Sequence, residues 1–104
     1  MENRQEIKNF AEDMEFNLSM KDEERGDSWK ECQYDFFFER LEDEIKELKE
    51  AVINGRMSDI RREAADVGNF AMMIHWKALE DWLNIVAKRM EEANIDPPET
   101  YSRN

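Results

Sequence analysis

The chain has 104 residues and a net charge of −11, from 26 acidic against 15 basic side chains, a length that suits one domain. So acidic a protein is expected to repel nucleic acid and anionic membranes, which bind Lys- and Arg-rich surfaces, although a free nucleotide can be a ligand if bound cations offset the charge. Cys32 is the only cysteine, which excludes an intramolecular disulfide and a zinc site built on paired cysteines.

The segment from Met1 to Glu6 has neither the basic start nor the apolar core of a signal peptide. No apolar run nears the ~20 residues that cross a bilayer, so the expected compartment is the reducing cytoplasm. Glycine occurs only at positions 26, 55 and 68 and proline only at 97 and 98. The long stretches between them are rich in Glu, Lys, Arg, Ala, Leu and Met, which favour helix. A first helix is expected from about Asn3 to Met20, with Ile7, Phe10, Met14 and Leu18 at helical spacing. A charged loop, Asp22 to Ser28, follows.

A second helix starts between Ser28 and Tyr34, carries Phe37, Phe38, Leu41, Ile45, Leu48 and Val52, and stops at Asn54-Gly55. Ser58 or Asp59 can cap a third helix bearing Ile60, Val67, Phe70, Ala71 and Ile74. A further apolar series, Leu79, Leu83, Val86 and Met90, runs to about Ala93; the sequence leaves open whether the third helix continues past Trp76. The expected architecture is an all-α, hairpin-based bundle of three to four helices over residues 1–93, with a loose tail from 94 to 104. Three or four long helices leave apolar surface over, so completion by a homodimer or homotetramer is expected.

Acidic pairs three apart recur at Glu12/Glu15, Glu39/Glu42, Glu44/Glu47, Glu47/Glu50 and Glu63/Asp66, and most such runs are solvated helix faces. Position around the helix separates them. At roughly 100° per residue, Ile60, Val67, Phe70 and Ile74 fall within an arc of about 80°, and Glu63 lies inside it. Asp66 lies on its edge. An ionised carboxylate on a core face is costly unless a charge or hydrogen bond compensates it, and an ion pair with Arg40 or Lys77 is the plain explanation. On the second helix Glu44 borders the stripe and Glu47 follows one turn on. If the two helices pack antiparallel across Asn54 to Met57, four carboxylates share one pocket, which is tolerable around a strong cation. Oxygen ligands without Cys or His select Mg²⁺ or Mn²⁺, with Ca²⁺ as a further option. A carboxylate-bridged di-iron site needs Glu-x-x-His, whereas the single His75 has Met72 three residues before it.

The segments Leu41–Leu48 and Arg62–Val67 resemble the MazG-type all-α nucleotide pyrophosphohydrolases, whose signature is Glu-x-x-Glu followed across a helical hairpin by Glu-x-x-Asp. Here these are Glu44-x-x-Glu47 and Glu63-x-x-Asp66, with Leu48 and Ala64-Ala65 matching the flanking pattern. The likeness extends loosely from Trp29 to Ile74. It implies Mg²⁺ held by the four acids and a nucleoside triphosphate substrate. It further implies that water would attack the α-phosphorus, releasing a nucleoside monophosphate and pyrophosphate. Glu44 or Glu47 is the candidate general base. Asn69 is a candidate to contact the nucleotide or orient a ligand, or else a helix-surface packing residue, Trp29 a candidate for base stacking or for core packing, and Lys30, Arg40, Lys46 and Lys77 are candidate phosphate partners. A reading of a different class is an acidic helical interaction or regulatory protein that binds a partner helix through its Met- and Phe-rich stripes. That reading accounts for the charge but not for Glu63 on an apolar face.

Overall fold

The computed structural model describes residues 2–95; the expected tail from Asp96 onward lies outside them. Three α-helices, α1 (Gln5–Ser19), α2 (Tyr34–Asn54) and α3 (Met57–Glu92), are joined by turns, one of them a 3-10 turn at Ser28–Glu31. Among the described residues there is no strand. The chain divides into two units, Met1–Ile74 and His75–Asn104.

The α2–α3 hairpin has a local cause. Gly55 sits at φ 71°, and its N–H closes the helix on the carbonyls of Ala51 and Val52 at 3.0 and 3.1 Å. A left-handed C-terminal position favours glycine because any Cβ is strained there. Only Arg56 then separates Gly55 from α3, and its carbonyl accepts the N–H of Ile60 at 3.0 Å. Ser58 and Asp59, expected as caps, therefore lie inside the first turn. There the Asp59 carboxylate sits near the positive helix end and pairs with Arg56 at 3.9 Å and Arg62 at 3.5 Å.

The first unit has a small core of Phe37, Phe70 and Met73, with Leu18, Trp29, Cys32 and Leu41 packed against it. Ala51 and Ala65 are buried as well, and their small side chains let α2 and α3 approach closely. Gly68 does the same for α1: a Cβ there would lie 2.5 Å from Phe10 Cζ and 3.2 Å from Met14 Sδ. Arg61 of α3 reaches back to Asp13 of α1 through paired hydrogen bonds of 3.1 and 3.2 Å.

The expected apolar stripe of α2 is divided between two faces. Phe37, Glu44 and Ala51, seven residues apart, form the buried line. Phe38, Ile45 and Val52, also seven apart, are 51%, 37% and 56% exposed. Ile7 and Phe10 of α1 are likewise exposed.

In the second unit α3 continues without a break at Trp76 to Glu92, since neither Gly nor Pro interrupts it. Trp76, Leu83, Val86 and Met90 are half-buried, and Leu79, Trp82 and Ile85 are exposed. The helix ends in a Schellman closure. Asn94 adopts φ 61°, its N–H bonds to Glu91 O at 3.0 Å, and Ile95 N–H bonds to Met90 O at 2.7 Å, as αL-terminated helices do. Asn94 and Ile95, assigned to the tail from sequence, thus close the helix. No helix among the described residues is long and apolar enough to cross a membrane.

Candidate metal centre and the adjoining cavity

The short hairpin connection places residues eleven positions before Gly55 beside residues eight to eleven positions after it. Glu44 of α2 therefore meets Glu63 and Asp66 of α3, and one carboxylate oxygen from each lies within 4.8 Å of the others. Glu44 is 4% exposed, more deeply set than its position at the edge of the α2 stripe implied. Its Oε2 and the Oε2 of Glu63 are buried and receive a hydrogen bond from no N–H or hydroxyl donor among the described residues. Glu47 stands at the rim, exposed but within hydrogen-bonding reach of both Glu44 and Glu63, and outside the group of three.

The compensating charges are few and differ from the expected ones. Glu44 Oε1 has Arg40 Nη2 at 3.5 Å, and Arg40 also faces Asp43 at 3.8 Å. Glu63 is met by its neighbour Arg62 at 3.3 Å, rather than by Arg40 or Lys77. Asp66 Oδ1 accepts a 2.9 Å hydrogen bond from Asn17 Nδ2, which also donates to the Arg62 carbonyl at 3.1 Å. Burial above all, then the hydrogen bond and charge of Glu47, then the charges of Asp66 and Glu63, push Glu44 from 4.5 up to about 7. Burial and then Glu47 and Asp66 raise Glu63 as well, with Arg62 opposing. Carboxylates raised by desolvation and by one another are held in their charged form by a cation. Two buried oxygens with no donor among the described residues, beside a third carboxylate, fit a hard divalent ion.

A cavity adjoins the acids, with Asp66 at its edge. Trp29, Phe36 and Phe70 supply flat apolar walls, and Asn69 also lines it. Lys21, Arg25 and Arg40 are the cations of its lining. Lys21 and Arg25, one turn apart, make no ion pair with any described residue. Lys21 also lines a second cavity with Arg62, Glu63 and Asp66, so it borders both spaces. Asn69 is buried, and its Nδ2 donates to the Met14 carbonyl at 3.1 Å; it is not a helix-surface residue.

Of the residues singled out from sequence, Glu44, Glu47, Glu63 and Asp66 come together, with Trp29 and Asn69 in the adjoining cavity. Lys30 lies over the Trp29 ring at 5.6 Å and pairs with Asp27 at 3.4 Å, and it does not line the cavity. Lys77 belongs to the second unit, where it pairs with Asp81 at 3.9 Å. Lys46 is exposed. The sequence reading missed Asn17, Lys21 and Arg25. Asn17 carried a usable signal: it falls on the α1 stripe, three residues after Met14, as a polar group on an apolar face. Lys21 and Arg25 carried none, because two cations in a charged loop look like ordinary surface.

Fold and site together define an all-helical protein with a buried acidic cluster beside an aromatic and basic cavity. Comparisons with known protein families, with curated proteins and with solved structures find no match.

Proposed function

We propose that this protein is a Mg²⁺-dependent nucleoside triphosphate pyrophosphohydrolase of the MazG type, acting in the cytoplasm. The observation that carries the reading is the meeting of Glu44, Glu63 and Asp66, with two buried carboxylate oxygens that no donor among the described residues satisfies. Those three residues would hold the ion, Mg²⁺ or Mn²⁺ by donor chemistry. Once bound, such an ion neutralises and orients a triphosphate.

The remaining steps belong to the chain's own groups. Asn17 holds Asp66 Oδ1, fixing how that carboxylate is presented. Lys21 and Arg25 offer positive charge to phosphate oxygens, which a protein of net charge −11 otherwise repels. Glu47, exposed and outside the group of three, would take the proton of the attacking water. Attack on the α-phosphorus breaks its bond to the bridging oxygen of the β-phosphate, leaving a nucleoside monophosphate and pyrophosphate.

The exposed line of Phe38, Ile45 and Val52 supports a homodimer or homotetramer, with a second copy covering the outer face of α2. The same line also favours the second reading, an acidic interaction protein that binds a partner helix there. A screen of nucleoside triphosphates with and without Mg²⁺, reading pyrophosphate, tests the proposal. Release from at least one triphosphate, dependent on the metal, is expected. No release from any, together with no thermal stabilisation by Mg²⁺ or Mn²⁺, sinks it in favour of the interaction protein.

A further inference from the structure

We infer that Arg40 is a positioning residue that couples the ion to the nucleotide: it competes with the divalent ion for Glu44, and the ion's arrival frees its guanidinium for a phosphate group. The inference rests on the metal and nucleotide reading above and adds to it the order in which the two ligands act. Its starting point is a shared carboxylate. Glu44 belongs to the group that could hold an ion, yet one of its oxygens is already engaged. Arg40, one turn earlier on α2, reaches Glu44 Oε1 with Nη2 at 3.5 Å and is the one cation paired with Glu44 among the described residues.

The hold is loose. Well-made charge-assisted N–H contacts to carboxylates run at about 2.7–2.9 Å, whereas Arg40 stands 3.5 Å from Glu44 and 3.8 Å from Asp43. Glu44 is 4% exposed, so in the metal-free protein Arg40 is the charge that partly offsets a buried carboxylate. A divalent ion offsets it with twice the charge and repels the guanidinium as it does so. Ion and Arg40 are therefore alternatives at Glu44.

What Arg40 does once released follows from where it sits. Its guanidinium carbon lies 5.7 Å from the centroid of the Phe70 ring, and both residues line the cavity beside the acids. A cation over an aromatic face is held there without a carboxylate, so the charge stays by the cavity when Glu44 is given to the ion. A planar guanidinium with five N–H donors suits phosphate oxygens. Lys21 and Arg25 line the same cavity without an ion pair to any described residue, so they offer their charge with or without an ion. Of the three, only Arg40 is paired with a ligand of the ion. It alone makes the pull on an anion depend on what Glu44 holds.

Two calorimetric titrations at pH 8 read the two halves separately: Mg²⁺ alone, then pyrophosphate into Mg²⁺-saturated protein. Arg40→Ala should bind Mg²⁺ about tenfold more tightly, having lost the competitor, and pyrophosphate about tenfold more weakly, having lost a charge-assisted contact. A residue that only supports the fold would weaken both. Arg40→Lys keeps the charge and should return Mg²⁺ affinity toward the wild-type value. Arg25→Ala should weaken pyrophosphate and leave Mg²⁺ affinity unchanged. If Arg40→Ala does not fold, the wild type decides by NMR of the arginine side chains. The Arg40 Nε–H resonance, assigned by its loss in Arg40→Lys, should shift with Mg²⁺ alone and again with pyrophosphate. Any other pair of shifts in a folded Arg40→Ala overturns the inference, as does the same split in Arg25→Ala or an Arg40 resonance unmoved by Mg²⁺. Pyrophosphate released from a triphosphate in any of those cases leaves the hydrolase standing. The expected opposite shifts, with no release from any triphosphate, uphold the inference and sink the hydrolase. A wild type that binds no Mg²⁺ overturns both.

Discussion

Glu63 and Asp66 show how one charge change separates a metal site from a structural ion pair. In the metal-free protein each carboxylate raises the energy of its neighbours, so Glu63→Gln or Asp66→Asn should leave the melting temperature without metal unchanged or higher. Either variant should lose most of the stabilisation that added Mg²⁺ gives, since that stabilisation is binding free energy, and should abolish pyrophosphate release. A fall in melting temperature independent of metal, with release retained, would show instead that the residue is one half of an ion pair. Asn17 acts one step further out. Its Nδ2 fixes Asp66 Oδ1 at 2.9 Å, and partners of this kind usually govern metal affinity by about 10–100-fold. Asn17→Leu should therefore weaken Mg²⁺ binding by about tenfold, measured by thermal shift against metal concentration. Unchanged affinity in a folded variant would reduce the contact to packing.

At the scale of the element, Gly68 decides how closely α1 approaches α3. In an exposed helix, Gly→Ala stabilises by up to about 1 kcal/mol. Here the added methyl meets the Phe10 ring at 2.5 Å and Met14 Sδ at 3.2 Å, so the sign reverses. Overpacking of this kind costs about 1–3 kcal/mol, and Gly68→Ala should lower the melting temperature by several degrees. Because α1 also supplies Asn17, the same variant should weaken Mg²⁺ binding. A rise in melting temperature would mean that Phe10, itself partly exposed, swings clear at no cost. The elements themselves were largely legible: the Asn54-Gly55 stop and the three helices follow from breakers and periodicity. The cap of α3 was not, because Ser58 and Asp59 look like caps in sequence whereas Gly55 turns the chain so tightly that the helix starts at Met57.

For the whole molecule the acid cluster sets a pH dependence. The folded protein holds Glu44 at about 7 against an ordinary 4.5, so folding favours the protonated form. That contribution is complete below about pH 4.5 and is lost as the pH rises through about 7, a difference on the order of 3 kcal/mol. Metal-free protein should melt at a higher temperature near pH 6 than near pH 8. Mg²⁺ should narrow or invert the difference, because it binds the deprotonated acids. A metal-free melting temperature that climbs from pH 6 to pH 8 would contradict the clustering. The exposed Phe38, Ile45 and Val52 predict self-association, and light scattering should report at least twice the 12.5 kDa chain mass. Monomer alone at micromolar concentration would refute it. Val52→Glu should shift any dimer toward monomer by placing charge in an apolar seam.

What the sequence by itself determined is whatever depends on local order along the chain. Helix follows from composition, the hairpin from Gly55, and the oddity of Glu63 from its angle among Ile60, Val67 and Phe70, because a 3.6-residue period is a property of the chain alone. Tertiary structure decided which residues from separate helices meet. It buried Glu44 and left Glu47 at the rim, and it gave Arg40 to Glu44 rather than to Glu63. It also brought Asn17 across from α1 to Asp66, and it put Lys21 and Arg25, rather than Lys30, in the lining of the cavity. Those outcomes depend on how far one helix turns about its axis against another, which side-chain volumes such as Ala51, Ala65 and Gly68 set and which no pattern within a single helix contains.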